Sequence, residues 1–166
     1  MSLGEFDLIE TYFAPLASGV EGAFNLKDDA AVLDPPSGKS FVITNDTIVE
    51  GTHFLPGDSP DDIASKLLRV NLSDLAAMGS VPAFYNLSVA LNSSISEEWI
   101  KKFVSGLRLD QSKYGIFLLG GDTVTTAGPI SLSLTAIGYV ENDKFLRRSG
   151  AIADDDIWAS GTIGDA

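Results

Sequence analysis

Residues 59–79 carry the signal that most restricts how this chain can fold. Ser59-Pro60-Asp61-Asp62 places a serine at an N-cap position, proline at the first helical position and two acids in the first turn, and Gly79 stands where a helix should stop. Between those marks Ala64, Leu67, Leu68 and Leu75 recur at helical spacing. A helix with one apolar stripe must bury that stripe against another layer, and the neighbouring segments read as strands that could supply it.

Residues 40–45, rich in Phe, Val, Ile and Thr, predict a strand. Residues 30–33 form a short apolar run stopped by Asp34-Pro35-Pro36, and together the two predict a hairpin. A strand is expected over 83–91, then a helix capped by Ser94 or Ser96, with Trp99, Ile100, Phe103, Leu107 and Tyr114 on its apolar side and Gly115 at its end. Residues 116–119 read as a buried strand and 130–140 as a long alternating one; residues 5–17 have the spacing of a short amphipathic helix ending near Pro15. This order predicts an α+β fold with a mixed four-stranded sheet and helices on one face. The other face then needs cover, and the small side chains alternating along 86–91 and 130–134 point to a sheet-to-sheet dimer.

At 166 residues the chain is long enough for one core, and its formal charge of -12 argues against nucleic acid or an anionic membrane as partner, because an acidic surface repels polyphosphate. With no cysteine, disulfides, thiolate nucleophiles and zinc-thiolate sites are excluded. The start is acidic and broken, and no apolar run reaches the roughly 20 residues of a membrane span, so the expectation is a soluble cytoplasmic protein. Asp154-Asp155-Asp156 leads into residues 157–160 and a Gly-rich stretch at 161–166, which reads as a strand and turn opening a second domain. The expected division is 1–150 for the first domain and 151–166 for the beginning of another that the chain does not include.

The chemistry-bearing residues are carboxylates. Asp28-Asp29 precede the apolar run at 30–33, while Asp46 and Asp122 each read as following a strand, an address where ligands of α/β sheets collect. On a helical wheel Asn71 falls within the stripe of the 59–79 helix and Asp74 at its edge, so both are expected to be at least partly buried, with Lys66 and Arg69 projecting from other faces. Two carboxylates about 4 Å apart repel by roughly 4 kcal/mol at an effective dielectric near 20. Convergence of several on one pocket therefore implies a divalent cation, and oxygen ligands favour Mg²⁺. Gly120-Gly121 could let backbone N–H groups approach a phosphate, or simply form a turn. His53, the only histidine, reads as structural or as a substrate contact, and Arg147-Arg148 as a surface pair or a phosphate clamp. No Walker A, Gly-x-Ser-x-Gly or His-Glu-x-x-His pattern is present.

With Asp28-Asp29-Ala30-Ala31, Asn45-Asp46-Thr47, Gly51-Thr52-His53-Phe54, the block from Asn71 to Gly79, Gly120-Gly121-Asp122-Thr123 and Arg148-Ser149-Gly150 in place, the chain resembles the thiamine-monophosphate kinases, a family in the superfamily of aminoimidazole ribonucleotide synthetase. The resemblance implies transfer of the γ-phosphoryl group of ATP to the phosphate of thiamine monophosphate, several Mg²⁺ ions, and a homodimer whose sheets form a barrel-like core. It implies Asp29, Thr44, Asp46, Asp74 and Asp122 as metal ligands, Gly121, Asp122 and Arg148 as ATP contacts, and His53 as the thiamine monophosphate contact. Residues 1–150 would be the ATP- and Mg²⁺-binding, dimerising domain, inactive or nearly so without the second. Lys27 and Asn45 depart from the family pattern. Rival readings are another superfamily member, like aminoimidazole ribonucleotide synthetase or selenophosphate synthetase, and a non-catalytic Mg²⁺-binding dimerisation module.

Overall fold

In the computed structural model, which describes residues 4–159 and residue 161, four strands make one sheet in the order β1-β4-β2-β3. They are β1 (Lys39–Val49), β2 (Val81–Leu91), β3 (Phe117–Thr125) and β4 (Ser131–Glu141). β4 runs antiparallel to both β1 and β2, while β2 and β3 are parallel because a crossover helix joins them. The expected mixed α+β sheet is present. Helices are α1 (Glu5–Leu8), α2 (Pro60–Ala77) and α3 (Glu97–Tyr114). None among the described residues is long and apolar enough to cross a membrane.

The helical stripes predicted for α2 and α3 cover one face of the sheet. Leu67, Leu68 and Leu75 of α2 and Phe103 and Leu107 of α3 join Tyr85, Leu118, Leu132 and Leu134 in one buried core. Of the two serines that could cap α3, Ser96 does so, its Oγ accepting the Trp99 N–H at 3.1 Å, and Gly115 closes the helix at φ +65°. Ser59 stands at the N-cap of α2 but makes no side-chain cap; its hydroxyl turns to the Asp61 carboxylate instead. At the other end Gly79, at φ +70°, stops α2 as predicted.

Two polar ties hold the helical layer. The Arg69 guanidinium on α2 meets the buried Asp110 carboxylate on α3 at 2.8 and 2.9 Å. Beneath them the Tyr85 hydroxyl donates to Gln111 Oε1 at 2.7 Å, and Gln111 Nε2 donates to the Leu16 carbonyl at 3.0 Å. Burial pushes the Tyr85 phenol well up from its ordinary range, so it remains a donor.

The predicted helix over 5–17 is one helical path of changing pitch: α1, a π turn at Ile9–Phe13, then a 3₁₀ turn at Ala14–Ala17. Pro15 explains the change, since it lacks an N–H and crowds the preceding turn. This segment passes the outer edge of β3. Leu16 reaches the helical side through Gln111, whereas Ala17 and Ala23 pack with Leu119, Phe84 and Ile137 on the opposite face, so the edge strand is shielded from stray pairing.

The predicted hairpin does not form. Residues 30–33 are not a strand; they lie beside the sheet, held by Val32 N–H to the Gly22 carbonyl at 2.9 Å. The run is short and ends in two prolines that cannot donate to a ladder. β1 pairs with β4 instead. The strand expected to open a second domain is also not seen at residues 157–159; Ser160 and residues 162–166 lie outside the described residues.

Candidate functional site

The site residues fall into two groups on different parts of the sheet. The first lines a cleft of about 720 Å³ bounded by Phe13 and Leu26 of the N-terminal segment, by residues 28–31, and by β2 and β3. Asp28, Asp29, Gly120, Gly121 and Asp122 all border it, and the three carboxylates are exposed. The Gly-Gly-Asp sequence is not the turn it resembles. β3 continues through it because β2 offers a pairing partner, with Asn86 opposite Gly120 and Ser88 opposite Asp122. A Cβ on Gly121 would lie 1.8 Å from the Leu87 carbonyl oxygen, so this glycine is required by the neighbouring strand. Gly120, whose Cβ would meet only Asn86 Oδ1 at 3.6 Å, is the open one.

The second group lies between the outer strand β1 and α2. The Thr44 hydroxyl donates to Asp74 Oδ2 at 2.8 Å, and Asp46, half-buried, shares Thr44's face of β1. Asp46 does not follow its strand; Thr47, Ile48 and Val49 are β-branched and extend the ladder to Ser131. Asp74 is exposed rather than buried, because β1 is the edge strand on this side and, among the described residues, none beyond it covers the end of the helical stripe. Asn71 is buried as predicted, and completely so; its Nδ2 donates to the Leu67 carbonyl at 3.0 Å, while Oδ1 has no partner among the described residues. Lys66 and Arg69 bind other groups, which removes an ion pair as the reason for Asp74.

The two groups share one transverse row, since Asp46 pairs with Leu134, Leu134 with Leu87 and Leu87 with Gly121. Three strand spacings separate its ends, roughly 14 Å. Asp46 points to the helical side and Asp122 to the opposite one, as the alternation requires. Convergence of all the aspartates on one pocket is therefore not reached within a single chain, and among the described residues no three His, Asp or Glu side chains are grouped to hold a metal. What the two groups share is donor chemistry: oxygen atoms only, the set a hard cation prefers.

Arg148 and His53 sit apart from both. Arg148 is exposed, two positions after Leu146, whose N–H donates to the Met78 carbonyl at 3.0 Å. That anchors it at the end of the sheet where Tyr139 pairs with Val81, whereas Asp122 lies at the Ser88–Ser133 level, roughly 20 Å along the strands. His53 is exposed on the turn after β1, its Nδ1 accepting the Val49 N–H at 3.1 Å. Three residues have roles at the site that the sequence did not indicate: Lys66, whose ammonium meets the His53 carbonyl, and Ile9 and Phe13, which wall the cleft. None carries a local motif that could have marked it.

Residues 27–140 match the AIR synthase related protein, N-terminal domain, and the chain belongs to that family. Within it, the thiamine-monophosphate kinase of Haemophilus influenzae is 41% identical over 100% of this chain and 50% of its own length. A solved thiamine-monophosphate kinase from Stenotrophomonas maltophilia K279a matches with a TM-score of 0.68 and 45% identity, over 74% of this chain and 38% of that one. A structure of AaThiL complexed with AMPPCP and TMP matches with a TM-score of 0.66 and 30% identity, over 92% of this chain and 47% of that one. The chain spans about half the length of the curated relatives it matches.

Proposed function

We propose that this chain is the ATP- and Mg²⁺-binding half of a thiamine-monophosphate kinase, which transfers the γ-phosphoryl group of ATP to thiamine monophosphate. The observation that carries the reading is 41% identity to such a kinase along the whole chain, with the acidic positions Asp29, Asp46, Asp74 and Asp122 all present. The all-oxygen donor sets fit Mg²⁺, with Asp29 and Asp122 in one group and Thr44, Asp46 and Asp74 in the other. When bound, the ions would offset the charge of the nucleotide phosphates. Gly121 can offer ATP only its backbone, Asp122 borders the nucleotide cleft, Arg148 would add positive charge although the single chain holds it roughly 20 Å from Asp122, and His53 contacts the thiamine monophosphate. The acceptor is an ionised phosphate oxygen, so no side chain has to remove a proton, and the protein's task is positioning and charge neutralisation.

The same reading includes a homodimer formed through the sheet face that the helices leave open. Residues 17–33 partly cover that face over Phe84 and Ile137, and its open part carries Phe41 and Ile43, with Ile43 63% exposed. A two-fold axis along the strands would set β1 of one protomer opposite β3 of its partner, with the Thr44, Asp46 and Asp74 group remaining on the far, helical side of that β1. Residues 1–150 are the dimerising domain in this reading, and 151–166 lead into the remaining half.

The test is a coupled assay of the full-length protein with ATP and thiamine monophosphate. Asp74→Asn should lower kcat at least about 100-fold, as expected for a group that acts on developing charge, with an unchanged thermal midpoint in EDTA. Millimolar Mg²⁺ should raise that midpoint in the wild type. Turnover near wild type would remove Asp74 from the site. Mg²⁺ binding without ATP-dependent product would favour the non-catalytic module.

A further inference from the structure

His53 is exposed, yet the turn that bears it is held at four points. Val49 closes the first side, its N–H on His53 Nδ1 at 3.1 Å and its carbonyl accepting the His53 N–H at 2.9 Å. Glu50 ties the turn to the start of β4, donating its N–H to the Ile130 carbonyl at 3.0 Å and accepting the Ile130 N–H on Oε2 at 3.3 Å. Phe54, 5% exposed, anchors the turn in the core. Lys66 completes the arrangement, reaching from an exposed position on α2 to donate its ammonium to the His53 carbonyl.

Such a bond adds little to stability, because water competes for both groups and a long side chain loses rotamer freedom. Its effect is geometric: it fixes the peptide that carries the imidazole. A neutral ring whose Nδ1 accepts a backbone N–H carries its proton on Nε2. We propose that Lys66 is a positioning residue for His53, and that the turn presents the ring as an Nε2–H donor of fixed tautomer to an acceptor atom of the phosphate-bearing substrate. The proposal rests on the reading of His53 as the thiamine monophosphate contact.

Two experiments test it. The only histidine gives one set of imidazole ¹⁵N signals in the wild-type chain. At a pH where the ring is neutral, Nδ1 should resonate as an unprotonated nitrogen and Nε2 as a protonated one, and Lys66→Met should move the two shifts together as tautomers mix. Averaged shifts in the wild type would overturn the fixed tautomer. In the full-length enzyme, Lys66→Met should raise KM for thiamine monophosphate about tenfold, leave kcat and the KM for ATP within about twofold, and be largely rescued by Lys66→Arg. It should add nothing in a His53→Ala background, and losses that multiply would overturn the coupling. If His53→Ala leaves that KM unchanged, the substrate contact itself falls and the proposal with it. If His53→Ala raises KM and Lys66→Met does not, only the role of Lys66 falls.

Discussion

A methyl group on Gly121 would lie 1.8 Å from the Leu87 carbonyl oxygen, while one on Gly120 would meet Asn86 Oδ1 at an ordinary 3.6 Å. Gly121→Ala must therefore push β3 away from β2, with an expected loss of at least about 3 kcal/mol, whereas Gly120→Ala should stay within about 1 kcal/mol of wild type. Urea unfolding of the two variants measures the contrast, and equal midpoints would show that the strands yield more easily than their geometry implies. In the sequence the two glycines are indistinguishable, because the atom that separates them belongs to a strand some 30 residues earlier. Asn71 and Asp74 teach the same lesson. The wheel placed Asn71 correctly in the stripe, but the exposure of Asp74 depends on where the sheet ends, which no helical period encodes.

Between elements, the pair that joins α2 to α3 matters most for stability. The Asp110 side chain is 3% exposed and Arg69 supplies its salt-bridge partner, so Arg69→Ala leaves a buried carboxylate without its counterion. The Arg69 side chain is itself half-exposed, 53%, and water screens part of the interaction. A loss of about 2 kcal/mol is expected, below the full cost of orphaning a buried ion. A urea midpoint shift measures it, and no shift would mean that solvent reaches Asp110 once the arginine is gone. Helix boundaries were legible to within a residue or two, since Ser96, Gly115 and Gly79 act on their own chain neighbours. The two central strands, β2 and β4, were legible to the same precision, but the outer ones were not: β1 and β3 run past the predicted limits, and the segment at 30–33 is left unpaired, because a strand lasts only as long as a neighbour offers partners.

For the whole molecule, the open sheet face sets the prediction. Ile43 is exposed in the single chain and would lie inside a face-to-face dimer. Ile43→Lys places an ammonium there at a desolvation cost no partner offsets, so sedimentation of the full-length protein should show a monomer with unchanged circular dichroism. A variant that remains dimeric would place the interface elsewhere, and a monomeric wild type would remove it.

The sequence by itself determined α2 and α3, the four-stranded composition of the sheet, the family and the identity of the acidic residues. Each of these is written in short-range periodicity, caps or motif spelling. Only the tertiary structure decided that β1 pairs with β4, that Asp46 and Asp122 project from opposite faces, and that Lys66 holds the turn of His53. The physical reason is that faces, edges and cross-strand partners are set by contacts between residues far apart in the chain, whose energies depend on how all the elements pack at once.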